Sequence, residues 1–116
     1  MGQSGDANGT EERKMAEHEI IMNFKRTRKE AAKLDEAADS LQQLADGEFE
    51  DSLQNVSAGW KGENADLFLK KGRLLKAEIM STARQMRKTA GTIRSIANRT
   101  FRTEMEALKT AQTRSM

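Results

Sequence analysis

Gly59-Trp60-Lys61-Gly62 is the main break between two long runs of heptad-spaced apolar residues, in a chain that contains no proline. Without proline neither run has an obligatory stop, and two long helices joined by one short turn form a hairpin. A large aromatic between two glycines is unusual in a turn, where small polar residues are favoured. Trp60 is also the sole tryptophan. Its position points to a task, either closing the hairpin or docking a partner.

The first seam steps by four and three through Ile20, Phe24, Thr27, Ala31, Leu34, Ala38, Leu41 and Ala45, with Ile21, Ala37 and Leu44 widening it. Asn8 or Thr10 can cap this helix, and Glu11 and Glu12 suit its first turn, where the dipole favours acids. Gly47 interrupts good helix formers at a cost of about 1 kcal/mol relative to alanine, so a bend or local fraying is expected near Asp46-Gly47. Phe49, Leu53 and Val56 carry the apolar face onward.

The second seam runs Ala65, Phe68, Gly72, Leu75, Ile79, Thr82, Met86, Thr89, Ile93 and Ile96, with Ala83, Ala90 and Ala97 on its flank at sevenfold spacing. Such small residues let a neighbouring helix approach closely. The expected organisation is a disordered tail over 1–10, helices over about 11–56 and 63–108, a turn over 57–62 and a frayed end from 110 to 116. Together residues 11–109 make one all-α, antiparallel helix-turn-helix hairpin. Gly59 is the expected C-terminal cap of the first helix, and Gly62 the position needing a positive φ or a close approach. At 1.5 Å per residue each arm is about 65 Å long, and the expected shape is a rod.

Two helices bury one stripe each, so a hairpin of this size makes a thin core and calls for a second surface. The charges add a direction. Residues 1–60 carry 7 Lys+Arg against 13 Asp+Glu, net −6, whereas residues 61–116 carry 13 against 5, net +8. Arms of opposite sign favour antiparallel pairing, within one hairpin or between two, more by selecting partner and direction than by adding stability.

Most chemistry is excluded by what the chain lacks. There is no cysteine for a disulfide or a thiolate. No apolar run is long enough to span a bilayer, and the N-terminal residues lack the basic-then-apolar pattern of a cleavable signal peptide. Met1-Gly2 is followed by Asp6 where a myristoylation site wants Ser or Thr. His18, the single histidine, stands between Glu17 and Glu19 on a helix, while a zinc site needs three or four convergent ligands. Gly59 and Gly62 lack the strand and the Gly-Lys-Ser/Thr ending of a phosphate loop. No Ser/His/Asp set can be assembled, and a narrow bundle offers no sizeable pocket. Neither catalytic residues, cofactors nor metals are therefore expected.

The basic residues Arg84, Arg87, Lys88, Arg94, Arg99 and Arg102 raise nucleic-acid binding, but the aromatics needed for base stacking are missing. A solvated face complementary to the acidic arm accounts for them better. Phe101 alone is too little apolar anchorage for a lipid surface. Met80, Met86 and Met105 read as gap-filling core residues.

A Trp-x-Gly turn joining two heptad-patterned helices in a chain of this size resembles the WXG hundred-residue family, the small Esx-type proteins exported by bacterial type VII secretion systems. The resemblance rests on Trp60-Lys61-Gly62, with Leu53 and Val56 before the turn and Ala65 and Phe68 after it. It covers the whole chain beyond the tail. It implies an antiparallel hairpin that dimerises into a four-helix bundle and is exported by a membrane ATPase without a cleavable signal peptide, being cytoplasmic before export. Some members escort larger effectors.

The family's C-terminal Tyr-x-x-x-Asp/Glu signal has no direct counterpart, because the chain has no tyrosine. Phe101 with Glu104 or Glu106 is a degenerate version; otherwise a heterodimeric partner supplies the signal. The expected dimer core is Leu34, Leu41, Phe68, Leu75, Ile79, Met86 and Ile93, with Trp60 and Gly62 forming the recognition turn. The expected partners are a second copy, a related small helical protein or a larger secreted effector, and the secretion ATPase. The alternatives are an intracellular coiled-coil adaptor and, behind it, a nucleic-acid-binding bundle.

Overall fold

The computed structural model describes the backbone of residues 2–115 and the side chains of residues 9–114. Helix α1 spans Gly2–Leu44, a π-helical turn covers Ala45–Phe49, α2 spans Glu50–Gly59 and α3 spans Glu63–Ser115. No strand occurs among the described residues, and the architecture is an all-α helical hairpin.

Helix α1 begins at Gly2, ahead of the start near residue 11 that the sequence suggested, and α3 continues to Ser115 where fraying was expected from residue 110. No proline lies in either segment to remove a backbone donor, so the helical ladder runs on. Met1 and Met116, the outermost residues of the expected tails, lie outside the described residues. The turn is also shorter than expected, because residues 57–59 complete α2 and leave Trp60 to Gly62 as the connection.

The disturbance expected at Asp46-Gly47 is a π turn flanked by ordinary helical backbone at Leu44 and Glu50. It changes the register. Ala45 and Leu53 are eight residues apart, a step that in a regular α-helix rotates about 80° off the starting face. The wider π turn absorbs the extra residue, and both side chains are buried.

Cα proximity divides the chain into two compact units, one formed by Ala32–Ala90 and carrying the turn, the other by Met1–Ala31 and Gly91–Met116. In the turn-bearing unit the buried residues are Ala38, Ala45, Leu53, Ala65, Ala83 and Ala90. Gly72 packs so closely against Leu53 that a Cβ at this position would overlap the Leu53 side chain. In the unit of the chain ends the buried residues are Ala31 and Ala97, and the Phe24 and Phe101 rings stack with centroids 4.7 Å apart.

The seam is thus an alanine column rather than the mixed seam read from the sequence. Ala83, Ala90 and Ala97, expected on the flank, are buried, while Phe68 and Leu75 are about half exposed. Helix separation follows the size of the contacting side chains, so helices meeting through alanine approach closely and push larger neighbours to the side. Each buried methyl contributes only about 0.8 kcal/mol. A core of this kind leaves much of the chain's apolar surface unused.

A candidate recognition surface at the turn

The turn is built from its own backbone bonds. The Trp60 N–H donates to the Val56 carbonyl at 2.9 Å and closes α2, while Trp60 itself leaves the helix with extended backbone (φ −123°, ψ 125°). Lys61 reaches back and its Nζ donates to the Ser57 carbonyl at 3.1 Å, satisfying one of the acceptors a helix end leaves open. Gly62 has φ +113°, a region that L side chains rarely adopt, and its carbonyl accepts the Asp66 N–H at 3.0 Å to start α3. Glu63 and Asp66 occupy the first turn of α3, where the helix dipole favours acids.

This frame holds the indole outward. Trp60 is 47% exposed, and its ring lies 6.0 Å from that of Phe68 at 54°. The pair is therefore a tilted aromatic cluster that is packed on one side and open to solvent on the other.

From the seam a regular pattern follows along α1 and α3 as far as Ala97, after which Thr100 and Phe101 reverse it. Three residues after Ala31, Ala38, Ala65, Gly72, Ala83 and Ala90 stand Leu34, Leu41, Phe68, Leu75, Met86 and Ile93. Four residues after the same positions stand Asp35, Gln42, Leu69, Lys76, Arg87 and Arg94. On a helix, steps of three and four fall on opposite sides of the starting residue, at about −60° and +40°. One flank of the seam is apolar and the other mostly polar.

The polar flank is tied together in the turn-bearing unit. Arg87 donates to Asp39 at 2.8 Å and to Gln42 at 2.7 Å. Arg73 Nη1 contacts both Glu50 carboxylate oxygens, at 2.8 and 2.7 Å, and Lys76 lies 3.4 Å from Glu50 and 3.9 Å from Asp46. Arg73, then Gln54 and Lys76, hold the Glu50 carboxyl down at about 2, below its ordinary 4.5. The sequence signalled these contacts only as an acidic arm facing a basic one.

On the apolar flank Leu34, Leu41, Ile79 and Met86 are half-buried, and Phe68 and Leu75 are exposed; Ile93, in the other unit, is half-buried. In that unit Phe101 packs on Phe24, with the Arg28 guanidinium 5.5 Å from the Phe24 centroid. Glu104 lines the same cleft as Phe101, of about 110 Å³. Glu106 lines another groove, with Glu17 and Lys109. His18 is exposed, and no group of metal-ligating side chains converges among the described residues. No helix among the described residues is long and apolar enough to cross a membrane.

The comparisons agree with this geometry. The family model for proteins of 100 residues with WXG matches residues 19–105, which include Trp60-Lys61-Gly62 and long stretches of both arms. Neither a curated protein nor a solved structure matched the chain. With a Trp-x-Gly turn between two long helices and a match over most of its length, the chain belongs to the WXG family of small helical proteins associated with type VII secretion.

Proposed function

We propose that the protein is a non-enzymatic type VII secretion substrate, or the partner that escorts an effector to the same machinery. It works as a dimer, with itself or with a related helical protein, joined through the apolar flank into a four-helix bundle. Leu34, Leu41, Phe68, Leu75, Ile79, Met86 and Ile93 form that dimer core. Trp60 and Gly62 present the turn to the export machinery, and Phe101 with Glu104 or Glu106 supplies the weaker C-terminal element. The protein is cytoplasmic before export and leaves the cell uncleaved.

The observation that carries this reading is the half-exposed Trp60, held against Phe68 by a turn that a backbone bond closes on each side. A tryptophan serving only as an internal plug would be covered by its own hairpin, and exposed aromatics of this size are favoured at binding hot spots. The test is Trp60→Ala in the native host. Export should fall at least about tenfold, the change expected from losing one hot-spot contact, while helical content and solution mass stay as in the wild type. Normal export of the variant, or loss of its fold, would return Trp60 to a structural role.

A further inference from the structure

We propose that Leu67 and Leu74 form a second docking surface, distinct from the dimer flank, for a partner helix of opposite charge pattern. Three pairs at sevenfold spacing occupy the start of α3. Ala65 and Gly72 lie in the seam, Phe68 and Leu75 stand three residues on, and Leu67 and Leu74 stand two residues on. A step of two rotates about 200°, which carries Leu67 and Leu74 to the back of the helix, roughly 100° beyond Phe68 and Leu75. They are among the most exposed large apolar residues described, at 52% and 59%.

A second hairpin seated on Phe68 and Leu75 leaves this back surface open, and the inference depends on the dimer reading only in that respect. Charge defines the occupant. Lys70 and Lys71 are exposed and lie one on each side of the leucine line, while Glu63 and Glu78 bound it at either end. A shallow groove lined by Glu63, Asp66, Leu67 and Lys70 runs beside Leu67. The complementary partner is an amphipathic helix with two apolar residues seven apart, carboxylates between them and basic residues at its ends. Such helix-on-surface docking takes its affinity from the apolar anchors and its selection from the charges.

The test uses the full chain and two synthetic helical peptides with leucines at sevenfold spacing. One carries central glutamates and terminal lysines, and the other has these charges reversed. The first peptide should bind at least about tenfold more tightly than the second, with the difference shrinking at high salt. Leu67→Ser/Leu74→Ser should abolish binding of both peptides and Lys70→Glu/Lys71→Glu should remove the preference, each without changing the solution mass. Phe68→Ala/Leu75→Ala should lower the solution mass and leave peptide binding in place, which separates this surface from the dimer flank. Equal binding of the two peptides, or no binding, overturns the proposal. So does a higher oligomer of the wild type that disappears with Leu67→Ser/Leu74→Ser, because the surface would then be covered by another copy.

Discussion

Gly72 and Leu53 occupy each other's space: the Leu53 side chain fills the position that a Cβ on residue 72 would take. Leu53 is 3% exposed and is the one large side chain buried in the alanine seam among the described residues. Gly72→Ala removes a helix-interior glycine penalty of about 1 kcal/mol but overpacks the seam at a cost of about 1–3 kcal/mol. The expected net effect is a loss of about 1 kcal/mol in urea unfolding. In a Leu53→Ala background the same change should turn stabilising, a coupling that a double-mutant cycle reads directly. Equal effects in both backgrounds would show that the two residues do not share this space.

The turn supplies a second prediction. With φ +113°, Gly62 sits where a side chain is strained whatever room surrounds it. Gly62→Ala should therefore cost about 1–2 kcal/mol. Gly59, the last residue of α2, has a negative φ and open space around it, so Gly59→Ala should be neutral or mildly stabilising. Thermal unfolding of the two variants side by side distinguishes strain at residue 62 from a general intolerance of the turn.

The Glu50 carboxyl gives a pH dependence of known sign. Its pKa is lowered in the folded protein from 4.5 to about 2, with the Arg73 hydrogen bond the largest cause. A depressed acid contributes stability that is complete above its unfolded value and is lost as pH falls through its folded one. The unfolding midpoint should thus decline between about pH 5 and pH 2, and Glu50→Gln should flatten part of that decline. Identical pH profiles for the two proteins would contradict the role given to the Arg73–Glu50 pair.

The apolar flank makes a prediction about mass. Purified alone, the chain should sediment above its 13.0 kDa monomer mass if it pairs with itself. Leu75→Glu places a charge on the flank and should shift it to the monomer and lower its thermal midpoint. Wild-type protein that is already monomeric and aggregates points to a heterodimeric partner. A stable, soluble monomer would remove the dimer from the account.

Much of this is legible in the sequence itself. Absence of proline, heptad spacing and the Gly-Trp-Lys-Gly break together define a helical hairpin, and positive φ was among the expected uses of Gly62. The inner column was harder to read, because alanine and large apolar residues both repeat every seven positions on adjacent lines. Periodicity alone does not say which line faces the neighbouring helix; the close approach that alanine permits decides it. The π turn was visible only as a glycine in a poor place, since the eight-residue step from Ala45 to Leu53 gains meaning once its helical geometry is known. Leu67 and Leu74 were hidden by the stronger stripe beside them, although their sevenfold spacing after Trp60 was in plain view.

The most direct test of the central claim is an immunoblot of culture medium against cell lysate, in the native host with and without its type VII ATPase and with a lysis control. Uncleaved protein is expected in the medium of the intact strain, and should disappear from the medium when the ATPase is removed. Protein confined to the lysate of both strains would contradict export as a substrate and leave a role inside the cell.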